Sequence, residues 1–155
     1  MISIDILPDD VLLQVFNSHG YHYDDLYRGE REKVWQTLVH VCRRWRCIVF
    51  GSPRHLNLQL VCRARTPVRD MLDVWPALPL VIVLYGNNPR YPIGSVDNII
   101  AALECTDRVC EIHLRIVPSS DSDIFGAMQQ PFPELTNLEL SSDETMAVVP
   151  DSLLG

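Results

Sequence analysis

The chain has 155 residues, enough for one ordinary domain or two small ones, and its hydrophobic share of 47% is sufficient to bury a core. Its net charge of −7 argues against a dedicated nucleic-acid binder, because such proteins need a basic face to neutralise phosphates. The longest apolar run, residues 78–85, is too short to cross a membrane, and the N-terminus lacks the basic start and apolar stretch of a signal peptide.

The five cysteines lie at positions 42, 47, 62, 105 and 110, and none of them forms a Cys-x-x-Cys pair. Together with the missing secretory signal, this pattern favours reduced thiols. We therefore expect a cytoplasmic or nuclear protein and not a secreted one. From the net charge and the short apolar run, we expect neither nucleic acid nor membrane among its partners.

A first helix is predicted close to the N-terminus. Pro8 suits a first-turn position, where its missing N–H costs nothing, and Asp9 and Asp10 favour the positive end of the helix dipole. The apolar residues that follow are spaced for one helical face: Val11, Leu12, Val15 and Phe16. The polar stretch 18–32 is expected to be a surface connection.

A second helix is predicted over residues 33–50, where apolar side chains draw two adjacent stripes. One stripe consists of Val34, Leu38, Val41, Trp45 and Ile48, and the other consists of Trp35, Val39, Cys42 and Val49. A helix that is apolar over so wide an arc needs more than one neighbour, so we expect part of it to face a partner.

After residue 53, short strand-like runs alternate with short helices, which is typical of parallel strands joined by helical crossovers. The strand-like runs are 55–61, 78–84, 109–117 and 135–140. The helices are expected at 68–75, 98–103 and 124–128, with Thr66, Ser95 and Asp121 near their starts as capping residues.

Each strand-like run contains two apolar residues separated by one residue: Leu58/Leu60, Leu80/Ile82, Ile112/Leu114 and Leu138/Leu140. Successive pairs are 22, 32 and 26 residues apart, which is in the range of leucine-rich repeats with the middle unit stretched. The last copy, 135–143, matches the repeat consensus except that Asp143 stands where Asn or Cys is usual.

Residues 7–16, Leu-Pro-Asp-Asp-Val-Leu-Leu-Gln-Val-Phe, resemble the opening of an F-box, and residues 41–46, Val-Cys-Arg-Arg-Trp-Arg, resemble its closing signature. The later chain is similar to the leucine-rich repeats of fungal F-box-like proteins. The fold class implied is α+β overall: an all-helical F-box-like domain over 4–53, then a short α/β leucine-rich-repeat solenoid over 54–155. The polar insertion 18–32 departs from the family, since most F-boxes have a short turn there.

The repeat region is expected to be incomplete. Residues 149–155 look like the beginning of another repeat unit, and the polar cap that a solenoid needs on its last repeat is not visible.

The resemblance implies a substrate-recognition adaptor of a ubiquitin ligase. The helical module would bind a Skp-type adaptor and through it a cullin, and the C-terminal region would hold an unknown client protein. Seven residues are carried over by motif as adaptor-binding: Leu7, Pro8, Leu12, Val15, Val41, Cys42 and Trp45. The client-binding candidates flank the buried pairs of the strands: Asn57, Gln59, Glu111, His113, Arg115, Asn137 and Glu139.

Two other interpretations stay open. The chain could be a repeat-type interaction scaffold whose F-box-like helices recruit no ligase, or it could be a small hydrolase. Against the hydrolase, the sequence has no Gly-x-Ser-x-Gly turn, no phosphate-binding loop and no Gly-x-Gly-x-x-Gly fingerprint. Trp45 could also be a plain core residue, and the cluster of Arg43, Arg44 and Arg46 could contact an acidic partner or simply face solvent.

A metal site can be drawn from His19-x-x-His22 with Asp24 and Asp25, but a polar loop is the favoured interpretation. Zinc sites need a fixed set of three or four ligands, which a polar loop does not supply. From the missing ligand set we expect no metal. From the missing catalytic and phosphate-binding motifs we expect no enzyme activity, no catalytic residues and no cofactor.

Overall fold

The computed structural model describes residues 4–18, 31–84, 96–116 and 121–142. The chain divides into two compact units, Met1–Leu58 and Gln59–Gly155. Among the described residues, the first unit is helical, and the second contains a four-stranded parallel sheet with helices. At this coarse level the predicted α+β class is confirmed. The predicted domain boundary after residue 53 stays a prediction.

The helical unit opens with a 3-10 turn at Ile4–Ile6 and continues with α1 (Asp9–Ser18), α2 (Arg31–Val41) and α3 (Arg43–Gly51). Helix α1 begins directly after Pro8 with Asp9 and Asp10 in its first turn, where carboxylates favour the helix dipole. Helices α2 and α3 pack on each other, and α1 contacts α3. Their buried apolar side chains are Leu12, Phe16, Trp35, Val39, Ile48 and Val49.

The single helix predicted over 33–50 is wrong, because Cys42 separates α2 from α3. Its backbone is extended, with φ −157° and ψ 169°, and its thiol accepts a hydrogen bond from the Trp45 N–H at 3.5 Å. Cys42 is therefore the N-cap of a new helix. Apolar periodicity alone did not reveal the break, since suitable spacing continues through the junction.

The second unit is built from β1 (Leu60–Arg63), β2 (Leu80–Leu84), β3 (Val109–Ile116) and β4 (Asn137–Ser142). The strands pair in chain order and all run parallel. Described helices lie in the crossovers between successive strands: α4 (Val68–Val74), α5 (Val96–Leu103) and α6 (Asp121–Ala127). Helix α5 packs on β1, β2 and both neighbouring helices. The predicted arrangement of parallel strands with helical crossovers is confirmed.

The first strand lies later than predicted. Residues 53–57 form turns, in which the Leu58 N–H donates to the Pro53 carbonyl at 2.9 Å, and β1 starts only at Leu60. Asn57 has a φ of 45°, a left-handed conformation that asparagine tolerates better than most residues. The prediction that Asn57 lies on a strand is therefore wrong.

The strand register corrects the repeat alignment. Ile112 pairs with Leu138, its equivalent in the repeat alignment, but it also pairs with Ile82, whereas the alignment makes Leu80 its equivalent. Cys62, not Leu60, pairs with Ile82. These two errors are shifts of two residues, which leave every side chain on the same face and so are invisible to a pattern of alternation.

A β-bulge interrupts the pairing of β2 with β3. Leu80 pairs with Val109 and Val81 pairs with Glu111, so Cys110 is an extra residue on β3. The Cys110 thiol donates to the Leu80 carbonyl at 3.3 Å. Val109 and Ile112 are an odd number of residues apart, so a regular strand would place their side chains on opposite faces. The bulge explains how both side chains are fully buried.

Candidate functional site

The two segments that carry the F-box resemblance are tied together by Arg44 on α3. Its guanidinium donates to Asp9 Oδ1 from Nε at 3.0 Å and from Nη2 at 2.6 Å, and Nη2 also donates to the Leu7 carbonyl at 2.5 Å. Arg46 similarly donates from Nε to the Val39 carbonyl at 3.0 Å. Two of the three clustered arginines therefore bind within the helical unit.

Trp45 packs on the core of the helical unit without being enclosed by it. Its ring centroid lies 4.7 Å from that of Phe16, at an interplanar angle of 56°. Phe16 is buried, whereas Trp45 is only half-buried. Both predicted roles are thus compatible with its position, because one part of the indole packs inside and another part stays accessible.

The seven motif residues differ in how accessible they are. Leu12 is 0% exposed, so its side chain belongs to the core and is not available to a partner. This burial corrects the expectation that Leu12 lies on a docking surface. Cys42 is half-buried, and its thiol caps α3.

The accessible motif residues are apolar. Val15 is 41% exposed and Val41 is 55% exposed, while Pro8 is exposed and Leu7 half-buried. Ile4 and Ile6 are exposed as well, although sequence reasoning did not single them out. Their position next to the Leu-Pro motif was the available signal.

On the sheet, four of the client-binding candidates form one hydrogen-bonded group, here called the sheet-face cluster: Gln59, Glu111, His113 and Glu139. His113 Nδ1 lies 3.0 Å from Glu139 Oε2, and His113 Nε2 lies 3.2 Å from Glu111 Oε2. Gln59 Nε2 donates to the other oxygen of Glu111 at 3.2 Å. His113 itself is only 8% exposed, so among the described residues it is a polar side chain buried in the protein. This burial corrects the expectation that His113 lies at an exposed strand position available to a client.

Strand register places three of these side chains together, whereas Gln59 lies directly before β1 and not on a strand as predicted. Glu111 and His113 are two residues apart on β3 and so share a face, and His113 pairs directly with Glu139 on β4. Alternation had predicted that face correctly. The hydrogen bonds between its members depend on the register, which the sequence did not give.

The remaining client-binding candidates lie outside the cluster. Asn57 lies in a turn, Asn137 is exposed on β4, and Arg115 is exposed on β3. Val81 and Val83 are buried, so β2 is covered on both faces, as its apolar sequence predicted.

Burial raises the pKa of the Cys110 thiol to about 11, and the neighbouring Glu111 carboxylate adds to the effect. Burial likewise raises the pKa of Cys105. A raised pKa keeps a thiol protonated and poorly nucleophilic, so these two cysteines behave as small packing residues.

Within residues 4–18, 31–84, 96–116 and 121–142, no group of three or more His, Cys, Asp or Glu side chains is arranged to hold a metal ion. The metal site considered at His19 and His22 lies outside these residues, as do Ser95 and Asp143. In the same part of the chain, no helix has the length and apolar character needed to cross a membrane.

Comparison with protein-family models, curated proteins and solved structures found no match to this chain.

Proposed function

We propose that this protein is a substrate-recognition adaptor that bridges a client protein to a Skp/cullin-type ubiquitin ligase in the cytoplasm or nucleus. In this proposal the helical unit binds the Skp-type adaptor and the second unit holds the client. The protein needs no cofactor or catalytic residue of its own. Bridging raises the effective concentration of the client near the ligase, where other subunits transfer ubiquitin.

The observation that carries the proposal is the exposure of Val15 and Val41. Both belong to the segments that resemble an F-box, and both remain accessible in a unit that buries Leu12, Val39 and Val49. In this proposal these two side chains are the apolar part of the surface that the Skp-type adaptor covers. The Arg44 contacts support the same proposal, because they hold the two segments as one arrangement.

The second unit supports the repeat part of the proposal through its topology. Parallel strands that follow each other in chain order, with helices in the crossovers, are the arrangement expected of stacked leucine-rich repeats. The inward row Cys62, Ile82 and Ile112 is fully buried, as the core of such a stack requires.

Adaptor binding can be tested by co-purification of the full chain with a Skp-type adaptor, comparing wild type with Val41→Glu. The expected result is capture by wild type and loss of capture by the variant, because a carboxylate on an apolar interface is costly to desolvate. Val74→Glu is the matched control, since Val74 is 74% exposed on α4, in the other unit. Failure of the wild type to bind the adaptor contradicts the proposal.

Client binding needs a separate test on the sheet face. Reversing the charges of Arg115 and Glu139 together should abolish recovery of the client identified with wild type, while adaptor capture persists. Because Glu139 also binds His113, circular dichroism must show that the variant keeps its fold. Undiminished client recovery would mean that recognition lies elsewhere.

One observation favours the alternative of an interaction scaffold that recruits no ligase. Two of the seven motif residues serve the helical unit itself, Leu12 as core and Cys42 as a helix cap. A motif kept for folding alone would retain these two residues. Under this alternative, wild type and Val41→Glu recover the same partners and neither recovers the adaptor.

A further inference from the structure

The hydrogen bonding of His113 depends on its protonation state. Carboxylate oxygens accept hydrogen bonds and cannot donate them, and both ring nitrogens of His113 face such oxygens. A neutral imidazole carries one N–H, so it can satisfy Glu111 or Glu139 but not both. A protonated imidazole carries two and can satisfy both at once.

We propose that His113 is a proton-operated latch between β3 and β4. In its protonated form, the ring donates Nε2–H to Glu111 on its own strand and Nδ1–H to Glu139 on the next strand. In its neutral form, one carboxylate faces a ring lone pair and that contact opens. The latch therefore closes when the ring takes up a proton and opens when the ring releases it.

The surroundings of the ring favour Glu139 as the contact that opens. Glu111 is held from its other oxygen by Gln59, and its side chain is 21% exposed. Glu139 makes its contact from a side chain that is 51% exposed, so water can replace the ring as its partner. Release of Glu139 loosens a link between strands, whereas release of Glu111 would not.

The other charged groups on the face of the sheet that carries His113 lie on β1 and further along β3. β2 contributes only Val81 and Val83 beside His113, β1 contributes Arg63 two strands away, and β3 continues to Arg115. Of the described side chains, the two glutamates are those within hydrogen-bond distance of the ring.

The test is NMR spectroscopy of the full chain at two pH values, a lower one at which the 15N shifts show both ring nitrogens of His113 protonated and a higher one at which they show only one protonated. Amide hydrogen exchange along β4, corrected for its intrinsic pH dependence, should be roughly tenfold slower at the lower pH, as expected for one charge-assisted hydrogen bond.

Two variants make the test specific. In Glu139→Gln, the amide can donate to a neutral ring, so the strand contact no longer needs a proton and β4 exchange becomes equal at the two pH values. His55→Gln is the control, because His55 is an exposed histidine of the helical unit, and it should behave as wild type. The proposal is overturned if wild-type β4 exchange is equal at both pH values, or if Glu139→Gln retains the difference.

Discussion

The two units of the molecule present opposite kinds of surface. Among the described residues, the large apolar side chains that are exposed lie mainly in the helical unit, at Ile4, Ile6, Val15 and Val41, with Val74 as the exception. The second unit instead carries polar side chains on its outer sheet face, and these bind one another through the sheet-face cluster.

This difference changes how strongly each surface indicates a partner. Covering exposed apolar side chains with another protein is favourable, because it removes apolar surface from water. Hydrogen-bonded polar side chains gain little from a partner, because each bond to a ligand replaces a bond already made. The helical unit is therefore a better candidate for a partner surface than the sheet face is.

The largest predicted effect concerns the inward face of the sheet. Ile112→Ala should lower the free energy of unfolding by about 3 kcal/mol, because it leaves a cavity in a fully buried row. Leu138→Ala, at the paired position on β4, should cost less, since Leu138 is only half-buried. Urea unfolding followed by circular dichroism measures both. Equal losses of unfolding free energy would show that the row is as well buried on β4 as it is on β3.

The second prediction addresses the apolar surface of the helical unit. Trp45→Ala should weaken adaptor binding by more than about 1 kcal/mol, as expected for an aromatic anchor at an interface. Calorimetry measures the affinity, and circular dichroism shows whether the helices remain. Trp75→Ala, in the second unit, should bind the adaptor as wild type does. An unchanged affinity in a folded Trp45→Ala protein would make Trp45 a core residue only.

The third prediction compares one ion pair from each unit. Arg44→Ala should lower the unfolding free energy by about 1 kcal/mol, because it also removes a charged hydrogen bond to the Leu7 carbonyl. Arg69→Ala breaks only a well-exposed pair with Glu104, so its effect should be within about 0.5 kcal/mol. Thermal unfolding distinguishes them, and similar losses would argue against a special role for Arg44.

The last prediction is kinetic and concerns two cysteines. With a pKa of about 11, roughly a thousandth of the Cys110 thiol is ionised at pH 8, so iodoacetamide should modify it slowly. Cys47, which is exposed on α3, should react at least roughly tenfold faster in the same sample. Mass spectrometry of peptides over time gives both rates. Comparable rates would show that the bulge opens readily.

Sequence reasoning predicted the types of elements better than their junctions. Pro8 with two aspartates correctly placed the start of α1, and alternation correctly placed Glu111 and His113 on one face of β3. It failed at Cys42 and at Asn57, where a capping thiol and a left-handed turn decide the local structure. Those are properties of single residues in three dimensions, and a periodic pattern does not record them.

The candidate sites divide in the same way. Motif and alternation selected residues that lie in the right elements, but neither could reveal that Leu12 is enclosed or that Arg44 reaches the Leu7 carbonyl. Burial and long-range hydrogen bonds depend on how helices pack, which is decided by contacts between residues far apart in sequence.

The bulge at Cys110 also bears on how such a chain can change in length during evolution. An inserted residue is usually tolerated in a loop, where no pairing is disturbed. Here β3 holds one additional residue within its pairing with β2, and pairing resumes at Val81 with Glu111. Deleting Cys110 would therefore leave a regular ladder with the same faces, and a strand of this sheet can gain or lose one residue without inverting its side chains.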